Sequence, residues 1–168
     1  MTVYLDMDGV LADFFGGLAK RNNEDHWKHI PDKDASIRDI QGTDFFYTLE
    51  PFARAKNLVT FVKTTSDGDW GICSSPLRGD RDNSAYWKRR WLEKHDMMPA
   101  VSDLIFTGMK EKFAIDKLTG KPNILIDDKP SNIERWIAKG GIGIRYQANE
   151  DDMGELLPKI VDAVYAAK

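Results

Sequence analysis

Thr2-Val3-Tyr4-Leu5-Asp6-Met7-Asp8-Gly9-Val10-Leu11-Ala12-Asp13 is the stretch on which the reading of this chain turns. Its first four residues form a short apolar, β-prone run, so a buried strand delivers Asp6 and Asp8 at its C-terminal end. Residues i and i+2 of a strand point the same way, which brings both carboxylates to one small volume. Gly9 permits the sharp turn that must follow. Two carboxylates so close repel unless a cation lies between them or one of them keeps a proton. Either remedy serves chemistry: a hard divalent ion on oxygen ligands, or a nucleophile beside a proton carrier. The competing reading is an Asp-rich turn after an edge strand, and the rest of the chain weighs against it.

Further strand-like segments run from Trp70 to Cys73, Asp103 to Phe106, Asn123 to Ile126 and Gly141 to Arg145. Helical patterns separate most of them. Tyr86 to His95 carries Tyr86, Trp87, Trp91 and Leu92 at helical spacing. Ile133, Trp136 and Ile137 mark a second helix, ended by Gly140-Gly141. Leu156, Leu157, Ile160, Val161 and Val164 line one face of a third. Strands alternating with helices predict an α/β fold, a parallel sheet covered on both faces. In such sheets ligands bind beyond the strands' C-terminal ends. Bringing the polar strand ends together requires the Asp6 strand to be central, with the Trp70 and Asn123 strands beside it. Residues from about Phe14 to Leu58 read differently: mostly polar, with short helical patches, Pro31 and Pro51 as punctuation, and aromatics at Phe14, Phe15, Trp27 and Phe45-Phe46-Tyr47. This segment is expected to be an insertion, a small, mostly helical cap over the site within a single domain spanning 1–168.

Composition narrows the function. With 42% hydrophobic residues, the 168-residue chain has enough apolar material for one sizeable core. A net charge of −3 argues against a dedicated nucleic-acid binder, which usually presents a basic face. A single cysteine, Cys73, excludes an intramolecular disulfide and points to a reducing cytoplasm. No apolar run approaches the roughly 20 residues a membrane span needs. No signal-peptide pattern precedes Asp6, so none is expected.

Three more strand ends carry polar residues. Ser74 and Ser75 follow Trp70 to Cys73. Lys110 and Lys112 follow the third strand. Asp127 and Asp128 follow Asn123 to Ile126. Together they offer carboxylates for a cation, a hydroxyl and backbone N–H groups for anion oxygens, and a lysine for residual charge. That set suits phosphoryl transfer, where charge neutralisation and positioning do most of the catalysis. Receiver domains of response regulators use similar residues, but with the acid pair on the first strand and the lysine on the last. Here the Asp-x-Asp motif comes first and the Asp-Asp pair comes last, after the lysine, so chain order disfavours that reading.

These four motifs resemble those of the haloacid dehalogenase (HAD) superfamily of phosphohydrolases: Asp6 to Gly9, Ser74, Lys110 (or Lys112) and Asp127-Asp128. Within it the chain most resembles the 5'(3')-deoxyribonucleotidases, through Asp6 to Phe14, Phe45-Phe46-Tyr47-Thr48-Leu49-Glu50-Pro51, Ile72-Cys73-Ser74-Ser75-Pro76-Leu77 and Leu125-Ile126-Asp127-Asp128-Lys129-Pro130. That family usually carries Thr where this chain has Ser74, a change that keeps the hydroxyl, and the insertion here is short.

The resemblance implies a Rossmann-like HAD fold and a Mg²⁺-dependent phosphomonoesterase acting on (deoxy)ribonucleoside monophosphates. It implies Asp6 as nucleophile, forming an aspartyl-phosphate, and Asp8 as general acid and base. Mg²⁺ would bind Asp6, the Asp8 backbone carbonyl and Asp128, with Asp127 in support. Ser74 would hydrogen-bond phosphate, and Lys110 would steady both phosphate and Asp6. Phe14, Phe15 and the Phe45-Phe46-Tyr47 cluster are expected to line an apolar pocket above Asp6 that stacks the nucleobase, and Ser75 and Arg78 are further candidate substrate contacts. For the rings, the alternative is packing on each other alone; for Arg78 and Arg81 it is a solvated loop with Arg–Asp pairing. Lys88-Arg89-Arg90 is read as the solvated face of a core helix, and Cys73 as a small apolar residue. A polynucleotide 3'-phosphatase, a sugar-phosphate phosphatase and a non-catalytic phosphate-binding protein of the same fold are the competing functions.

Overall fold

A computed structural model describes residues 1–168. Five strands form one parallel sheet: β1 (Val3–Leu5), β2 (Trp70–Ser74), β3 (Leu104–Phe106), β4 (Ile124–Asp127) and β5 (Ile142–Arg145). Their spatial order is β3-β2-β1-β4-β5. The Asp6 strand is therefore central, with Leu5 opposite Ile72 on one side and Ile126 on the other. Seven helices connect and cover the sheet: α1 (Phe14–Arg21), α2 (Lys33–Asp39), α3 (Phe45–Thr48), α4 (Ala55–Thr65), α5 (Arg81–Lys94), α6 (Pro130–Ala138) and α7 (Met153–Ala167).

β1, β2 and β4 are buried along their whole length, as expected of parallel strands with helices on both faces. The two-residue period sorts their side chains. Val3, Leu5, Ile72, Ile124 and Ile126 join the larger core cluster, with Leu58 and Val62 of α4, Trp91 of α5 and Ile160 of α7. Tyr4, Cys73 and Leu125 face a smaller cluster with Ile133 and Trp136 of α6. Each such buried large apolar side chain contributes about 1.5–3 kcal/mol.

Several strand ends shift by one residue from the sequence expectation, and two boundaries matter for the site. β2 runs one residue further, with Ser74 paired opposite Phe106. α5 starts at Arg81, well before Tyr86. Its first buried position is Ser84, fully enclosed, whose Oγ accepts from the Leu77 N–H at 2.8 Å. A serine there interrupts the apolar spacing by which a helix is recognised in sequence.

The segment from Phe14 to Leu58 holds α1, a 3-10 turn at Trp27–His29, α2, α3 and the first turn of α4. Asp13 caps α1, accepting from the Gly16 N–H, and Asp32 caps α2, accepting from the Ala35 N–H. Polar contacts tie this segment down. Trp91 Nε1 donates to Leu49 O at 2.8 Å. Gln41 Nε2 donates to Arg78 O at 3.2 Å, Gly42 N to Asp80 Oδ2 at 2.9 Å, and Asn83 Nδ2 to Thr43 O at 3.0 Å. The loop after β2 and the start of α5 thus carry its middle. No helix is long and apolar enough to cross a membrane.

Candidate active site

The chain leaves β1 through a tight loop in which Met7 O accepts from the N–H groups of Val10, Leu11 and Ala12, at 3.2, 2.8 and 2.9 Å. Gly9 makes that turn at φ +80°, and any Cβ on it would overlap the Asp128 carboxylate. Backbone strain and close approach both demand glycine here. The loop is braced from outside: Ala148 N donates to Gly9 O, Asp13 N to Glu50 O and Phe52 N to Leu11 O, each at 2.9 Å. Asp6 and Asp8 therefore sit in a rigid setting at the sheet's C-terminal edge, where β2 and β4 also end.

Two buried lysines meet these carboxylates. Lys110, 1% exposed, lies 2.9 Å from Asp6 Oδ1 and 2.6 Å from Asp127 Oδ2. Burial draws its pKa down, but Asp6 and Asp127 outweigh that and hold it above the ordinary lysine value. Of the two candidate lysines it is Lys110, not Lys112, that meets Asp6. The second lysine is Lys88, also 1% exposed, whose Nζ donates to Asp8 Oδ2 at 2.8 Å, Ser74 Oγ at 2.9 Å and Ser75 O at 2.8 Å. It also sits 4.8 Å from the centre of the Phe46 ring. This corrects the reading of Lys88 as solvated. On α5, Ser84, Lys88, Trp91 and Leu92 share the buried face, and their i, i+4, i+7, i+8 spacing was the available signal.

Burial is the main force raising the Asp8 pKa, with Lys88 opposing it and Asp6 adding to it. Lys88 engages only Oδ2; Asp8 Oδ1 is buried without a hydrogen-bond partner. One oxygen is thus anchored by Lys88 and the other has no hydrogen-bond partner.

Oxygens of Asp6, Asp127 and Asp128 lie within 4.8 Å of one another. Asp127 is already engaged. Besides Lys110 it accepts from Lys129 N at 2.8 Å and from Asn132 Nδ2 at 3.2 and 3.0 Å on its two oxygens. Asp128 makes no such contacts. Burial, then the charges of Asp6, Asp127 and Asp8, push its carboxyl up to about 7. A divalent cation on these hard oxygen donors would relieve that repulsion, so the residues fit one.

The acids open onto a cleft of about 780 Å³ lined by Asp6, Asp8, Asp128, Phe14, Phe15 and Ser75, with Arg78, Lys129 and Arg135 also on its wall. Three sequence expectations change here. Ser74 is fully buried and does not line the cleft; β2 continues through it, and the next residue, Ser75, faces outward instead. Phe45 and Phe46 are 3% and 4% exposed and do not line the cleft. They pack beneath Phe14, with ring centres at 5.8 and 5.9 Å, inside the main core. Only Phe14 and Phe15 of the expected rings reach the cleft, with Trp27 packed on Phe15 at 4.9 Å. Finally, the Arg–Asp pairing offered by the loop after β2 is not made, because Asp80 Oδ2 accepts from Gly42 N and Asn83 Nδ2. Cys73 is buried, and burial raises its thiol to about 12, so it is inert as a nucleophile.

Residues 1–156 match the family described as 5' nucleotidase, deoxy (pyrimidine), cytosolic type C protein. The chain is 32% identical over 150 residues to the cytosolic-type 5'(3')-deoxyribonucleotidase of Homo sapiens, covering 76% of this chain and 70% of that protein. It is 28% identical over 151 residues to the mitochondrial 5'(3')-deoxyribonucleotidase of Mus musculus, covering 77% and 65%. The chain thus spans about two thirds of the length of these relatives. Among solved structures it resembles a HAD family hydrolase from Deinococcus radiodurans R1 with bound phosphate and sodium, with a TM-score of 0.55 at 13% identity over 95% of this chain and 87% of that one. It also resembles a family IA HAD hydrolase from Entamoeba histolytica, with a TM-score of 0.52 at 15% identity over 98% and 99%. These likenesses establish that the chain shares the fold of those structures.

Proposed function

The chain belongs to the family of 5' nucleotidase, deoxy (pyrimidine), cytosolic type C proteins, and from that premise we propose that it is a Mg²⁺-dependent phosphomonoesterase that hydrolyses deoxyribonucleoside monophosphates. The observation that carries this reading is the convergence of Asp6, Asp8, Lys110 and Asp128 around one cleft at the end of the central strand.

In this reading Asp6 attacks phosphorus and becomes the aspartyl-phosphate. Lys110, 2.9 Å away, holds its carboxylate in position and offsets charge that gathers during attack. Asp8 gives its proton, carried on the unpartnered Oδ1, to the departing sugar oxygen. It then takes a proton from the water that cleaves the aspartyl-phosphate. Lys88 keeps Asp8 in place through Oδ2. Asp6, Asp128 and the Asp8 backbone carbonyl would hold Mg²⁺, while Asp127 serves as the anchor linking Lys110 to Asn132. Bound Mg²⁺ supplies charge neutralisation for the phosphate and fixes its orientation for in-line attack. Ser75 and backbone groups beside it contact phosphate oxygens, and Ser74 orients Lys88. Phe14 and Phe15 offer the flat apolar surface for the base. The segment from about 14 to 58 acts as the cap of a single domain, and the compartment is the cytoplasm.

Phosphate release from a panel of deoxy- and ribonucleoside monophosphates, sugar phosphates and a 3'-phosphorylated oligonucleotide tests the proposal. Deoxynucleotides should be turned over with Mg²⁺, EDTA should stop the reaction, and Asp6→Asn should abolish it while leaving thermal stability near that of the parent. Turnover confined to sugar phosphates, or an Asp6→Asn variant with near-normal rates, would overturn it.

A further inference from the structure

Asp80 stands immediately before α5, where an aspartate ordinarily accepts from the first free N–H groups of the helix. Its side chain makes no such bond. Asp80 Oδ2 reaches across to the cap segment instead, accepting from Gly42 N at 2.9 Å and from Asn83 Nδ2 at 2.8 Å. Asn83 Nδ2 also donates to Thr43 O at 3.0 Å, and Gln41 Nε2 to Arg78 O at 3.2 Å. Gly79 makes room for the last contact, since a Cβ there would lie 2.8 Å from Gln41 Nε2. Residues 41–43 and 78–83 thus form a clasp between the cap segment and the loop that leaves β2.

Both sides of the clasp lead to the cleft. On the sheet side, Arg78 gives its carbonyl oxygen to Gln41 and lines the cleft together with Ser75. On the cap side, Thr43 leads into α3, its Oγ1 accepting from Phe45 N at 3.2 Å. Phe45 and Phe46 then pack beneath Phe14, which lines the opposite wall with Phe15. The clasp therefore sets the spacing between the ring wall and the Ser75–Arg78 wall. The reaction centre does not depend on it, because Lys110 holds Asp6 and Lys88 holds Asp8, and both lysines are buried. The bonds from Gln41 and Gly42 are solvent-exposed, so breaking the clasp leaves the core in place.

We propose that Asp80 is a positioning residue for nucleotide binding: by clasping Gly42 and Asn83 it holds the ring wall at the distance from the Ser75–Arg78 wall that a nucleoside monophosphate spans. This rests on the nucleotidase reading above. Asp80 touches neither phosphate nor base. It acts on affinity by keeping the two walls preorganised, and the chemistry at Asp6 and Asp8 proceeds without it. Inorganic phosphate, too small to reach both walls, does not sense the clasp.

The test measures KM and kcat with Mg²⁺ for the deoxynucleoside 5'-monophosphate that the parent protein turns over fastest, and the inhibition constant of inorganic phosphate. In Asp80→Ala, KM should rise about tenfold, the scale of loosening a preorganised site by one or two hydrogen bonds. Values of kcat and of the phosphate inhibition constant should stay within about twofold of the parent's, the pattern of lost substrate binding rather than lost chemistry. Asp80→Asn keeps an oxygen that accepts from Gly42 N and Asn83 Nδ2, so it should restore most of the affinity. Asn83→Ala breaks the clasp from the other side and should repeat the rise in KM; it decides the matter if Asp80→Ala does not fold. An unchanged KM in Asp80→Ala and Asn83→Ala overturns this inference, and nucleotide turnover by the parent in that same assay keeps the nucleotidase reading intact. Equal loss in Asp80→Asn and Asp80→Ala overturns the clasp, since charge and not the shared acceptor would then matter. Weakened phosphate inhibition or a lower kcat alongside the raised KM overturns it too, as the mark of a general scaffold contact. No turnover of any nucleotide by the parent overturns the nucleotidase reading, and this inference with it.

Discussion

Replacing Lys88 by methionine keeps most of the side chain's volume and removes its ammonium, which donates to Asp8, Ser74 and Ser75. Breaking a buried ion pair by deleting one partner costs about 3–5 kcal/mol. The Asp8 side chain is 27% exposed, so solvent and protonation soften the penalty, and about 2–3 kcal/mol is the working figure. For a chain of this size that lowers Tm by about 4–12 °C. The loss should depend on pH in a defined direction. Asp8 has a raised pKa, so the folded state binds its proton more readily than the unfolded chain, and this group favours folding towards acid. Lys88 is the strongest influence lowering that pKa, and without it an ionised Asp8 is left unpaired. The variant's deficit should therefore be larger at about pH 8 than at about pH 5.5, where protonation removes the lone charge. Activity should follow the same logic. Turnover of a nucleotide, whose alkoxide leaving group needs a proton, should fall by about 10²-fold or more. An aryl phosphate, whose phenolate leaves without one, should lose far less. Parallel urea titrations at the two pH values and rates on the two substrates measure both effects. An equal deficit at both pH values, or equal losses on both substrates, would refute the assignment of Lys88 as the residue that positions Asp8.

Mg²⁺ affinity should weaken as pH falls below about 7, because Asp128 must lose a proton to bind metal and its carboxyl is raised to that value; Mg²⁺ titrations of activity at several pH values would reveal it, and a flat dependence would remove Asp128 from the ligand set. Gly9→Ala should abolish activity and destabilise by about 1–3 kcal/mol, since the site has φ +80° and no room beside Asp128; a fully active, equally stable variant would contradict the loop geometry. Phe46→Ala should cost about 3–5 kcal/mol of stability and affect all substrates alike, as a core ring does. Phe15→Ala should instead raise KM for nucleotides while sparing a small generic phosphate ester, with stacking worth about 1–3 kcal/mol. The reverse pattern for these two rings would refute their separation into core and cleft.

Local chemistry in the chain determined the parallel sheet, the central position of the Asp6 strand and the gathering of Asp6, Lys110 and Asp128. Each strand is a short apolar run ending in polar residues, and a parallel sheet necessarily collects such ends at one edge. Gly9 was readable for the same reason: two acids followed at once by a turn leave little choice of residue. Only the tertiary structure decided what lay on helices and in the insertion. Lys88 heads a run of three cations with Arg89 and Arg90 and looks solvated, yet the rotation of α5, set by Trp91 and Leu92 entering the core, turns it inward towards Asp8. Ser74 and Ser75 are neighbours of the same type; one extra residue of β2 pairing with β3 buries the first and exposes the second. Phe14, Phe15, Phe45 and Phe46 are alike as residues, and their division into two cleft rings and two core rings follows from how α1 and α3 pack on each other. A sequence records which side chains are apolar or charged. Which of several equivalent ones is buried depends on helix rotation and on neighbours far away in the chain, and those are fixed only when the elements pack together.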